Sequence, residues 1–185
     1  MKRQVKKYLL DTNAYFALLK YVTSENNNET IDNILAGECY ISKVTQIEII
    51  SVIGKYARGI SGGIQVCNRI NEDTNMICGK QFIIPKQRKW SQAKLKEWLK
   101  LEKEISSGNN CLFNVKVLEI NSDVIAEAEE FIKNALIYNF KSMDAVVLGT
   151  AKANSSDTEV MVVVTADKGL KAGMDKIHYP HISIT

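Results

Sequence analysis

No two of the four cysteines, Cys39, Cys67, Cys78 and Cys111, form a C-x-x-C pair, so the sequence holds neither a zinc-ribbon pattern nor a disulfide framework. The two histidines, His178 and His181, stand close together without a cysteine nearby, which is a poor ligand set for zinc. No apolar stretch approaches the length of a membrane span. The basic start, Met1-Lys2-Arg3-Gln4-Val5-Lys6-Lys7, runs into Asp11 and Asn13 before an export-signal core can form, so reduced thiols in a cytoplasmic protein are expected. The glycine-rich run Gly59-Ile60-Ser61-Gly62-Gly63 lacks the Gly-Lys-Ser/Thr ending of a phosphate-binding loop and reads as a connector. Charge of either sign is also modest: a net +3 and a pI near 8.6 permit a polyanionic partner without demanding one.

What the chain does contain is an alternation of short β-type runs and helical periods. At 185 residues it is expected to form one domain, 1–185, large enough to bury a core. Strands are expected at 5–10, 39–42, 115–120 and 160–165, with one more at 177–185 whose Pro180 suits a sheet edge. The run Val162-Val163-Val164-Thr165 is continuous and β-branched, as in a strand buried on both faces, and is placed at the sheet centre. Helical spacing covers 14–22, 31–36, 45–58, 64–76, 87–106, 121–136 and 142–153, making about 59–114 an extended helical segment, with an unassigned apolar patch at Phe82-Ile83-Ile84. This alternation predicts an α/β fold, a three-layer α/β/α sandwich on a mainly parallel sheet of about five strands.

Four acids stand at the tips of apolar runs: Asp11 after Tyr8-Leu9-Leu10, Glu48 within Ser42-Lys43-Val44-Thr45-Gln46-Ile47-Glu48, Asp144 in Ser142-Met143-Asp144-Ala145, and Asp167 after Val164-Thr165-Ala166. The carboxyl edge of an open α/β sheet is where ligands bind, so four acids there would make a cation site. Each acid also has an ordinary structural use. Asp11 can cap the following helix, Thr45-Gln46-Ile47-Glu48 matches a capping box, Asp144 suits a first helical turn, and Asp167 suits a turn before Lys168-Gly169. Capping alone does not require all four to fall on one edge.

Two carboxylates about 5 Å apart repel by roughly 3 kcal/mol at an effective dielectric near 20, so four converging on one cavity need a counter-ion. An all-oxygen ligand set suits Mg²⁺ or Mn²⁺. Thr12, Asn13 and Thr165 lie beside the acids and can orient them, or simply cap backbone.

Taken together, Leu9-Leu10-Asp11-Thr12-Asn13, Ser42-x-x-Thr45-x-x-Glu48, Asp144-Ala145-x-x-Leu148-x-Thr150-Ala151 and Val164-Thr165-Ala166-Asp167-Lys168-Gly169-Leu170 resemble the PIN-domain nucleases over essentially the whole chain. The likeness extends to VapC-type toxin ribonucleases. It implies a PIN-like fold and a Mg²⁺- or Mn²⁺-dependent ribonuclease in which Asp11, Glu48, Asp144 and Asp167 are catalytic and hold one or two ions. Hydrolysis would leave a 5′-phosphate and a 3′-hydroxyl. A toxin role would add a small antitoxin protein and a homodimer of the nuclease. The alternative is a non-catalytic PIN-like module that binds RNA or another protein.

Residues 86–104 carry seven lysines and arginines with Trp90 and Trp98 between them. Cations with aromatics can bind single-stranded RNA, and Lys168, Arg88 and Lys89 are the candidate contacts. Yet Leu95, Trp98, Leu99 and Ile105 recur at helical spacing, which favours inward-packed tryptophans beneath a solvated lysine face. An aspartyl phosphatase would show Asp-x-Asp where this chain has Asp11-Thr12-Asn13. A receiver domain would need an aspartate where Asn121-Ser122 follows the third strand.

Overall fold

The structure is a computed structural model describing residues 5–24, 27–67, 76–133 and 141–184. The chain divides into two compact units, residues 1–50 with 99–185 and residues 51–98.

The first unit holds five strands: β1 Lys7–Leu10, β2 Glu38–Ser42, β5 Val115–Leu118, β6 Val162–Thr165 and β7 His181–Ser183. They form one sheet in the order β5-β2-β1-β6-β7, every pair parallel. Helices α1 Thr12–Val22, α2 Glu29–Leu35, α5 Ser122–Lys133, α6 Ser142–Ala153 and α7 Lys168–Lys176 connect these strands. This is the expected parallel α/β architecture. The central strand, however, is β1, and β6 is its inner neighbour rather than the middle of the sheet. Leu9 and Leu10 of β1 are fully buried, as a strand covered on both faces requires. Leu9, Tyr40, Val147, Leu148, Met161, Val163, Leu170 and Met174 belong to one core cluster. As expected, β7 is an edge strand, and Pro180 precedes it, its carbonyl accepting from Val163 N–H at 3.1 Å.

Successive strands run outward from β1 through β2 to β5, then return to the other side of β1 as β6 and β7. The strand order therefore reverses at β1, and in open α/β sheets ligands bind beyond the carboxyl ends of the strands at such a point. That is the part of the fold that positions the site.

The second unit differs from expectation. Residues 64–76 do not give a helix in their described part. Instead β3 Gly63–Val66 pairs antiparallel with β4 Gln81–Ile84, which contains the unassigned apolar patch. Period-two spacing of Ile64 and Val66 after two glycines is a strand signal. The rest of that segment, and Leu136 from the expected α5 face, lie outside the described residues. Helix α3, Lys43–Arg58, ends at Gly59, and α4 spans Gln92–Ser106, shorter than the expected 87–106. Of the two tryptophans Trp98 is buried, while Trp90 is half-buried, its ring centroid 5.1 Å from that of Trp98 and 6.3 Å from that of Tyr56.

Helices α5 and α6 pack closely at Gly149. A Cβ there would lie 2.6 Å from the Val124 carbonyl oxygen and 2.7 Å from Ala128 N, both backbone atoms that cannot step aside. Gly149→Ala is therefore expected to destabilise the protein by about 1–3 kcal/mol despite alanine's better helix propensity. Urea denaturation checks this; an unchanged midpoint would mean the helices separate freely.

Candidate active site

Asp11 is the first residue beyond β1 and accepts the chain into α1. Its backbone N–H donates to Val164 O at 3.0 Å, and its Oδ1 accepts from Ala14 N–H at 2.6 Å, the bond of an N-cap. Its Oδ2 accepts from the hydroxyl of Thr165, the last residue of β6. Thr165 is fully buried and Asp11 is 5% exposed. The Thr165 hydroxyl oxygen also accepts from Asp167 N–H at 2.9 Å, so one side chain ties together the two acids that follow β1 and β6.

Asp167 caps α7, its Oδ1 accepting from Gly169 and Leu170 N–H at 2.6 and 3.1 Å. Asp144, third in α6, accepts from Lys141 N–H through Oδ2 at 3.1 Å. These three acids thus fill the structural roles open to them. Glu48 does not. Helix α3 begins at Lys43, before the position a Thr45 cap requires, and it is Ser42 Oγ that accepts from Thr45 N–H at 3.1 Å. With its expected backbone partner already engaged, Glu48 is bonded through Oε2 by the Thr12 hydroxyl at 2.5 Å.

The charges are coupled. Burial pushes the Asp11 carboxyl up to about 6, opposed by the Thr165 and Ala14 hydrogen bonds and reinforced by the negative charges of Asp167 and Asp144. Asp144 is also raised, chiefly by burial, with Asp167 and Glu48 adding to the effect against the Lys141 bond. All four acids therefore share one electrostatic neighbourhood. Among the described residues, even so, no three His, Cys, Asp or Glu side chains stand close enough to form a ready-made metal site. Each acid is held by its own hydrogen bond, while Glu48 Oε1, Asp144 Oδ1 and Asp167 Oδ2 accept none from the described residues.

Thr12 and Thr165 contact acids as their positions suggested. Asn13 is exposed and bonds none of them among the described residues. Lys168 is exposed at the start of α7; Arg88 and Lys89 are exposed in the second unit. His181 lies in β7, its Nε2 3.3 Å from Asp175 Oδ1. Ser42 is the site-side residue whose capping role the sequence reading gave to Thr45. Its signal was a serine immediately before the helical period.

The parallel sheet is in keeping with what sequence comparison finds: the PIN domain family model covers residues 8–173, and the chain belongs to the PIN domain family. Its fold is similar to DNA-bound VapBC from Salmonella typhimurium, at 15% identity and TM-score 0.57, over 97% of this chain and 98% of that one. It is also similar to VapBC2 from Rickettsia felis bound to a promoter DNA fragment, at 10% identity and TM-score 0.52, over 96% and 98%. FitAcB from Neisseria gonorrhoeae matches at 16% identity and TM-score 0.51, over 95% and 96%. No curated protein matches the sequence significantly. Among the described residues no helix is long and apolar enough to cross a membrane.

A carboxyl raised from 3.8 to about 6 by folding carries a stability cost of about 3 kcal/mol once fully ionised. Between those two pH values the unfolded chain loses its proton first, so stability falls as pH rises and stays lowered above pH 6. The stability of Asp11→Asn relative to wild type should therefore rise by about 3 kcal/mol from pH 3.5 to 7, read by urea denaturation at both. A difference independent of pH would contradict it.

Proposed function

We propose that the protein is a Mg²⁺- or Mn²⁺-dependent ribonuclease, with Asp11, Glu48, Asp144 and Asp167 as the acids that hold the ion and carry catalysis. The observation that supports it most is that Asp11 and Asp144, both raised chiefly by burial and further by acidic neighbours, follow or flank the strands where the order reverses. An all-oxygen donor set fits a hard divalent cation, which binds through few carboxylates and keeps several waters, so the acids need not touch one another to share it. Held by Asp11, Glu48, Asp144 and Asp167, a bound ion would supply water activation and charge neutralisation for phosphodiester hydrolysis.

The residues of this chain then have separate tasks. Asp11 brings a carboxylate whose burial favours pairing with a cation over remaining ionised alone. Thr165 fixes Asp11 and, through the Asp167 backbone, the start of α7; Thr12 holds Glu48 toward the same edge. The products would be a 5′-phosphate and a 3′-hydroxyl.

The likeness to VapBC and FitAcB structures supports reading the protein as the toxin of a toxin–antitoxin pair, covered by a small antitoxin and assembled as a homodimer in the cytoplasm. The second reading, a non-catalytic module for RNA or protein, draws on the backbone-capping bonds that Asp11, Asp144 and Asp167 already make.

The two readings part on end-labelled, partly single-stranded RNA. Wild-type protein should cleave with Mn²⁺ or Mg²⁺, stop with EDTA, and leave 5′-phosphates. Asp11→Asn and Asp144→Asn should be inactive, and Thr12→Val slowed by about 10–100-fold. Cleavage unaltered in both acid variants, or none with any metal, would favour the module.

A further inference from the structure

We infer that the second unit carries a phosphate-binding cavity for the backbone of single-stranded RNA, formed by Arg58, Lys86, Arg88 and Lys89. The inference rests on the ribonuclease reading for the identity of the polyanion, but the cavity's cations are read independently of the carboxylate site.

The cavity measures about 600 Å³ and is lined by Arg58, the Gly59-Ile60-Ser61 backbone and the run Lys86 to Lys89. All four cationic side chains are exposed, and none forms an ion pair among the described residues. No carboxylate lines it. Like charges gathered without counter-charges repel, and a polyanion relieves that repulsion.

The walls are braced. Ile60 and Gln87 exchange backbone hydrogen bonds, N–H to carbonyl at 3.0 and 2.9 Å, and Trp90 N–H donates to Ala57 O at 3.0 Å. Gly59, at φ 76°, lets the two segments meet. A Cβ there would lie 2.7 Å from Gln87 O and 2.9 Å from Lys89 N. The cations are thus mounted on two segments held at fixed separation, which lowers the entropic cost of gripping a ligand.

Charge distribution favours a nucleic acid. Residues 51–98 carry nine Lys and Arg against three Asp and Glu, a net +6, whereas the remainder of the chain nets −3. A unit of net negative charge repels phosphates at long range, so a nuclease of this design needs cations elsewhere to hold its substrate. Arg58 and Arg88 add the bidentate fork that matches a phosphate's oxygens. Among the described residues no aromatic side chain lines the cavity, so the grip falls on phosphates rather than bases and should be indifferent to sequence.

The test is fluorescence anisotropy of a labelled unstructured 20-nucleotide RNA with full-length protein, in EDTA so that no cleavage intervenes. Arg88→Glu/Lys89→Glu should bind at least tenfold more weakly than wild type in 0.1 M salt. The slope of log affinity against log salt should fall by about 1.4, the value for two lost single-strand phosphate contacts. Arg58→Glu/Lys86→Glu should act likewise. Lys100→Glu/Lys103→Glu, an equal change in net charge on α4, should alter affinity less than threefold, with all variants keeping the wild-type circular dichroism spectrum. Equal weakening by the α4 pair, or an unchanged slope in the cavity pairs, overturns the inference. So does competition by polyglutamate as effective as unlabelled RNA at equal charge, which would make the occupant an acidic protein. Metal-dependent cleavage with unchanged binding by the cavity variants sinks this inference alone. RNA binding lost in those variants, with no cleavage by any metal, sinks the ribonuclease reading and leaves the cavity standing.

Discussion

The hydrogen bond from the Thr165 hydroxyl to Asp11 Oδ2 is the contact on which the rest of the site depends. It joins the carboxyl ends of β1 and β6, the adjacent strands whose following helices, α1 and α7, begin at Asp11 and Asp167. It satisfies a carboxylate oxygen that β1 carries out of water, and through Asp167 N–H it sets the first turn of α7. Without such a donor a buried carboxylate would cost several kcal/mol; with it, the cost shrinks to the raised pKa of Asp11.

For Asp144, Asp167 and Glu48 the structural bond and the proposed catalytic role are compatible because a carboxylate has two oxygens, whereas both oxygens of Asp11 already accept. Asp167 spends Oδ1 on two backbone N–H groups of α7, Asp144 spends Oδ2 on Lys141 N–H, and Glu48 spends Oε2 on Thr12. Each bond fixes a side chain's direction and leaves the other oxygen for a ligand. A cap is then the device that aims the acid, much as an orienting partner aims a metal ligand. Charge is divided unevenly along the chain, residues 51–98 netting +6 and the remainder −3.

The parallel sheet was legible because buried parallel strands leave continuous apolar runs, as in Val162-Val163-Val164-Thr165, and because the acids at their ends interrupt those runs sharply. Strand order was not legible: β6 carries the strongest β signal, yet the centre belongs to β1, since order follows from how the crossovers reverse. The β3–β4 hairpin escaped because its apolar residues do not face a core; Ile83 is 85% exposed, the β4 run Phe82-Ile83-Ile84 shows no alternation, and β3 offers only Ile64 and Val66. Helix α7 went unassigned since Gly169 and Gly173 weaken its propensity, although Leu170 and Met174, four apart and buried, carried its periodicity. At the site, Asp11, Asp144 and Asp167 were legible as strand-end and cap residues. The Thr12–Glu48 bond was not, for it links residues 36 apart that only the β1–β2 pairing brings together.

The central claim is that the four acids share one divalent cation, and calorimetric titration of the wild-type protein with Mn²⁺ at pH 5.5 tests it most directly. Because Asp11 titrates near 6, binding should release a proton, seen as a heat that changes with the ionisation enthalpy of the buffer. Affinity should drop at least tenfold in both Asp11→Asn and Asp144→Asn, and the proton release should vanish in the first. Binding of equal strength in wild type and both variants, or binding with no proton released, would contradict the account.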